Sequence, residues 1–117
     1  MDFLGIAESK IKVVYQGCHP QFTKVVSAGE INNVKRRYNL PDRYVLNVGT
    51  LEARKNIMVV VKALALLPAE SRLPLVIMGR QTAYKRNVIS TAQQLGVMES
   101  IIFLHHIPFS DFPAVYQ

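Results

Sequence analysis

The chain has 117 residues, 50% of them hydrophobic and 19% charged, with a formal net charge of +6. That is the size of one domain with a modest core and an ordinary composition for a folded protein. No apolar run reaches the ~18 residues that span a bilayer, Met1 to Gly5 lacks the basic start of a secretory signal, and the lone Cys18 excludes an internal disulfide and fits a reducing compartment.

Ile11 to Tyr15 is β-branched and aromatic and stops at Gly17, so it is predicted as a strand. The polar stretch that follows, with Pro20 and Ser27, reads as loop through Gly29. Glu30 to Tyr38 is predicted as a short helix, closed by Asn39-Leu40-Pro41-Asp42. It carries the densest basic cluster, Lys35-Arg36-Arg37, which on a helix ordinarily forms a solvated face. Tyr44 to Val48 is predicted as a strand stopped by Gly49, and Asn56 as the N-cap of a helix running from Ile57 to Leu67. That helix is apolar almost all round, as one packed on both sides would be.

Leu73 to Met78 is predicted as a strand ended by Gly79, and Thr82 to Leu95 as an amphipathic helix stopped by Gly96. Its inward face is Val88, Ala92 and Leu95, with Lys85, Arg86, Gln93 and Gln94 outward. Ser100 to Leu104 is the last strand, and a helix begins after the turn at Pro108 to Asp111. Strands alternating with helices imply an α/β fold, a Rossmann-like parallel sheet with flanking helices. The short, continuously apolar strands agree, because parallel strands are buried on both faces. A full doubly wound domain needs more strands than this sequence holds, so the sheet is expected to be part of a larger one.

Ligands of an open parallel sheet bind beyond the carboxyl ends of its strands. Here those ends are Gly49-Thr50, Gly79-Arg80-Gln81 and His105-His106-Ile107. Gly49 allows a close backbone approach, and Thr50 offers a hydroxyl. Arg54 and Lys55 bring two positive charges to the start of the Ile57 helix, whose free N–H groups favour anions. A guanidinium fork and an ammonium point charge suit a diphosphate. The plainer alternative is a solvated loop in which Arg54 pairs with Glu52. Neither G-x-x-x-x-G-K-[ST] nor G-x-G-x-x-G occurs, which argues against a P-loop ATPase and an ordinary dinucleotide dehydrogenase. His105-His106 has no third ligand in view for a metal, and Cys18-His19 has no orienting acid for thiol chemistry.

Four ordered blocks carry a family resemblance over nearly the whole chain. They are Ile11 to Gly17 with Pro20-Gln21-Phe22, then Tyr44 to Asn56, then Leu75 to Gly79, then Ile101 to His105. Together they resemble the group 1 glycosyltransferases (family 4, GT-B fold), which transfer a sugar from a nucleotide diphosphate donor with retention and without a bound metal. The resemblance implies a donor site made of Gly49, Thr50, Arg54, Lys55, Asn56, Gly79, Arg80, His105 and Ile107. Lys55 matches the diphosphate-binding lysine of the family. Thr50 stands where many members carry an arginine, which shifts the phosphate charge onto Arg54 and Lys55 together. The catalytic residues are unknown, since the glutamate pair that holds the donor sugar would lie past Gln117. The Thr-Leu-Glu-x-Arg-Lys-Asn variant resembles members that use mannose-type donors, and so points to a GDP-sugar.

The same resemblance divides the chain into 1–22, the end of an acceptor domain and the crossing, and 23–117, the first part of the nucleotide-sugar-binding domain. It implies no cofactor besides the donor, and a glycan or lipid-linked acceptor held by a domain outside this chain. It also implies a cytoplasmic location, peripheral to the inner face of the membrane, and no activity from this chain alone. Two rivals stand beside it: a non-catalytic nucleotide- or phosphate-binding Rossmann-like module, and a nucleic-acid-binding domain using the positive charge. The second is disfavoured because no basic motif is interleaved with aromatics.

Overall fold

The three apolar runs that end at Gly49, Gly79 and His105 are strands in the computed structural model, which describes residues 5–117. They are β1 (Val45–Val48), β2 (Leu75–Met78) and β3 (Ile101–Leu104). They pair in parallel in the order β1-β2-β3. The register aligns Val48 with Met78 and Met78 with Leu104, so the three strands end level with one another. All four residues of the central strand β2 are buried. This is why an uninterrupted apolar run, with no alternation, reads correctly as a strand.

Among the described residues four α-helices cover the two faces: α1 (Ala28–Arg37), α2 (Ile57–Leu66), α3 (Lys85–Gln94) and α4 (Phe112–Tyr116). Ile57, Val61 and Leu64 of α2 and Val88 and Ala92 of α3 pack on Leu75 and Ile77. On the other face Val34 of α1 and Ala114 and Val115 of α4 pack on Val76, Met78 and Leu104. Alternation along β2 therefore sends its side chains into two separate cores. Both crossovers, β1-α2-β2 and β2-α3-β3, run over the first face. Among the described residues no helix is long and apolar enough to cross a membrane.

Helix α1 starts earlier than its apolar pattern suggests, because Ser27 caps it. The Ser27 hydroxyl accepts from the Glu30 N–H at 3.3 Å. The Glu30 carboxylate accepts in return from the Ser27 O–H and N–H, a reciprocal capping box. Replacing Ser27 by alanine is expected to cost about 1 kcal/mol, read as a lowered urea midpoint. Side-chain and then backbone hydrogen bonds from Ser27 hold the Glu30 carboxyl below its usual pKa. A depressed pKa stabilises above the ordinary carboxylate range and is lost as pH falls, so protein and variant should converge in acid. A gap that widens on acidification would contradict this.

Three expectations fail for physical reasons. Ile11 to Tyr15 is not a strand: it has no neighbouring strand to pair with among the described residues, and Tyr15 is 91% exposed. Its composition favours an extended chain, but a lone strand has no ladder to stabilise it. Helix α2 packs on one side only, leaving Val59 and Leu66 exposed. On α3, Leu95 is 42% exposed, whereas Val97 beyond the helix end takes the buried place. Of the predicted segment 1–22, residues 1–4 lie outside the described residues. Pro20 to Phe22 is fastened to the α4 region. Gln21 donates to the Phe109 carbonyl at 3.0 Å, and Phe22 lies edge-on to Phe109 and Tyr116.

Candidate functional site

Because the strands end level, the three loops that follow them start side by side along one edge of the sheet. Gly49 and Gly79 close two of the strands with φ of 148° and 149°, a backbone that side-chain-bearing residues rarely adopt. The two loops touch there. A Cβ on Gly79 would lie 2.1 Å from the Gly49 carbonyl oxygen. The loops are also stitched further out: the Leu51 N–H donates to the Arg80 carbonyl at 2.9 Å, and the Thr82 hydroxyl donates to the Leu51 carbonyl. Gly79 N–H donates to the Leu104 carbonyl at 3.0 Å, tying in the third loop. The result is one platform rather than three independent loops.

On this platform the β1 loop makes a single turn of 3-10 helix, Ala53–Lys55, before α2. Asn56 sits at the junction with φ 53° and ψ 33° and makes no side-chain capping bond. This corrects its expected role. A capping side chain needs an extended backbone to reach the N–H groups of the first turn, and the left-handed conformation of Asn56 turns it elsewhere. The start of α2 is therefore left without a side-chain cap, which keeps its orphan N–H groups available to an anion.

Arg54 is 2.7 Å from the Glu52 carboxylate, so the plainer alternative for this residue is what the structure shows. An ion pair this exposed is worth about 0–1 kcal/mol, and a phosphate can displace it. Lys55, on the same turn, is exposed, and its side chain makes no salt bridge or hydrogen bond among the described residues. Thr50 is half-buried in the platform.

The other predicted residues gather in a neighbouring cleft of about 360 Å³, lined by Met78, Gly79, Arg80, His105, His106, Ile107 and Phe112. His106 holds a left-handed backbone, φ 56°; such strain concentrates at sites. The structure thus brings Gly79, Arg80, His105 and Ile107 together, with Gly49 against Gly79. Gln81, which the sequence already placed at this strand end, is joined at this edge by Thr82 and Lys85, which were not assigned to it from sequence. Lys85 is half-buried rather than outward: it donates to Gln81 at 2.6 Å and lies 4.6 Å from the centre of the Phe103 ring.

A larger cleft, about 640 Å³, lies between Pro20 to Val26 and helices α1 and α4, away from the strand ends. Its one arginine, Arg37, is already held by Asp111 at 2.7 Å. Arg37 belongs to the basic cluster on α1, and Lys35 of that cluster donates to the Asp42 carbonyl, so two of the three charges serve the fold.

The chain is similar to known proteins in sequence and in shape. It is 29% identical over 122 residues to the serotype-specific mannosyltransferase WbdA of Escherichia coli, covering 100% of this chain and 15% of that protein. It is 34% identical over 94 residues to the O-antigen chain mannosyltransferase B of the same organism, covering 77% of this chain and 24% of that one. WaaG, a glycosyltransferase involved in lipopolysaccharide biosynthesis, superposes with a TM-score of 0.73 at 17% identity. That match covers 95% of this chain and 30% of WaaG, and gives the sheet as part of a GT-B, Rossmann-like fold. The family model for glycosyl transferases group 1 matches residues 30–117. The chain, which spans about a seventh to a quarter of the length of these curated relatives, belongs to the group 1 glycosyltransferases.

Proposed function

We propose that this chain forms part of the donor site of a retaining glycosyltransferase that moves a mannose-type sugar from a GDP-sugar during polysaccharide synthesis. The observation that carries this reading is the β1 loop. Two cations, Arg54 and Lys55, stand beside an uncapped helix start on a platform of level strand ends. Transfer breaks the bond from the anomeric carbon to a phosphate oxygen, and the nucleoside diphosphate leaves with the electron pair. The acceptor hydroxyl oxygen forms the new bond, and its proton passes to the departing diphosphate. Negative charge grows on the leaving diphosphate, where fixed N–H groups, Lys55 and a released Arg54 would stabilise it. Gly79, Arg80, His105 and Ile107 would line the path to the nucleoside.

The names of the two mannosyltransferase relatives support a mannose-type donor, and the free, exposed Cys18 supports a cytoplasmic setting. The acceptor, a glycan or a lipid-linked sugar, would be held outside this chain. Transfer requires both partners aligned and water excluded, so this chain by itself is proposed to bind a donor nucleotide without turning it over.

Calorimetric titration with GDP, UDP and a short DNA duplex tests the reading. Nucleoside diphosphates are expected to bind with an affinity that depends on the base and survives ~200 mM salt. Binding that is indifferent to the base and abolished by salt would instead favour the nucleic-acid reading. No binding of either nucleotide would remove the donor-site reading.

A further inference from the structure

The edge of the platform holds a chain of three side chains that the donor-site residues alone do not explain. Lys85, in the first turn of α3, places Nζ 2.6 Å from Gln81 Oε1. The same ammonium lies 4.6 Å from the Phe103 ring centre, a cation–π contact that helps to hold it in place. An ammonium has three donors and no acceptor, so the Gln81 atom facing it must be the carbonyl oxygen. This fixes the orientation of the Gln81 amide. Its NH₂ then faces His105 Nδ1 at 3.0 Å. An amide NH₂ only donates, so Nδ1 must accept. A neutral imidazole that accepts at Nδ1 carries its proton on Nε2.

His105 stands at the carboxyl end of β3 in the cleft with Gly79, Arg80 and Ile107. It is exposed, and its Nε2 makes no hydrogen bond among the described residues. We propose that Lys85 and Gln81 are positioning residues that lock His105 in the Nε2–H tautomer. His105 then offers a neutral donor to a carbonyl oxygen on the edge of the donor base. A base presenting a keto oxygen, as guanine and uracil do, matches such a donor. An amino group in the same place, as in adenine, sets donor against donor. The tautomer lock follows from the chain's own atoms, and only the identity of the acceptor rests on the donor-site reading.

The test begins without nucleotide. In the ¹⁵N-labelled 117-residue chain at neutral pH, long-range proton–nitrogen spectra are expected to show His105 with a bare Nδ1 and a protonated Nε2. Gln81→Glu keeps the shape but replaces the donor by an acceptor, and it is expected to move the proton onto Nδ1. Lys85→Met frees the amide to turn and should give both tautomers, while Lys85→Arg restores the original one. Circular dichroism checks that each variant is folded. Finding Nδ1 protonated in the unaltered chain, or a His105 signature indifferent to Gln81→Glu, would overturn the proposal. With nucleotides, the preference for GDP over ADP should shrink about fivefold to tenfold in Gln81→Glu, the value of one hydrogen bond, and only about twofold in Lys85→Met, where the competent tautomer remains partly populated. A preference that stays constant would overturn the base contact. Failure of every nucleotide to bind the unaltered chain would count against the donor site itself, and leaves the tautomer result to be judged on its own spectra.

Discussion

Replacing Gly79 by alanine is expected to lower the stability of the chain by about 2–6 kcal/mol, a large part of the ~5–15 kcal/mol of an ordinary domain. Two effects add. Alanine must hold a φ of 149°, at a strain of about 1–3 kcal/mol. Its Cβ must also fit where the Gly49 carbonyl oxygen lies 2.1 Å away and the carbonyl carbon 2.7 Å away. Neither is the end of a flexible side chain, so relief requires the two loops to separate, at a further ~1–3 kcal/mol. Separation also strains the Leu51–Arg80 backbone bond and the Thr82–Leu51 bond. Gly96 gives the control. It also has positive φ, 65°, but open space where a Cβ would stand, so alanine there costs about 1–2 kcal/mol. Urea unfolding of both variants separates the effects. Equal midpoints for Gly79→Ala and Gly96→Ala would show that the loops do not touch in solution.

Lys55→Ala is expected to weaken binding of a nucleoside diphosphate by about 1.5–3 kcal/mol, roughly tenfold to a hundredfold, as for other hydrogen bonds to charged groups. Arg54→Ala should lose less. Its guanidinium is engaged by Glu52 at 2.7 Å, so part of any gain from phosphate is offset by breaking that pair. Glu52→Gln releases Arg54 and should therefore tighten binding, more at low salt than at high salt. The order of the three variants is more telling than any one of them. If Lys55→Ala binds as well as the unaltered chain, the β1 loop is not the diphosphate cradle.

Much of this was legible in the sequence because parallel strands and Gly stops leave a plain trace. Leu75 to Met78 is apolar without a break and ends at Gly79, and it forms the central strand with every residue buried. The edge carrying the site followed from that, since parallel strands put their carboxyl ends together. What escaped was local geometry set by contacts distant in sequence. Helical spacing sent Lys85 outward, but Phe103 on β3 offered its ring and Gln81 its oxygen, and the side chain folded back. Asn56 has the right residue type for a cap and the wrong backbone, because the preceding 3-10 turn delivers it in a left-handed conformation. Ile11 to Tyr15 has the composition of a strand, but composition does not supply a neighbour to pair with.

The distribution of helices over the two faces has a consequence for the direction in which the sheet can grow. Helices α2 and α3 lie on one face, while α4 leaves β3 for the other and packs beside α1. Crossovers between parallel strands are almost always right-handed. A strand reached through α4 cannot then extend the sheet beyond β3; it returns to the free side of β1, where Val45 and Val48 are now more than two-fifths exposed. Winding would reverse at β1, and the loops on either side of such a reversal diverge to opposite faces and open a crevice. The turn bearing Arg54 and Lys55 would form one lip of that crevice, and whatever follows the returning strand would form the other.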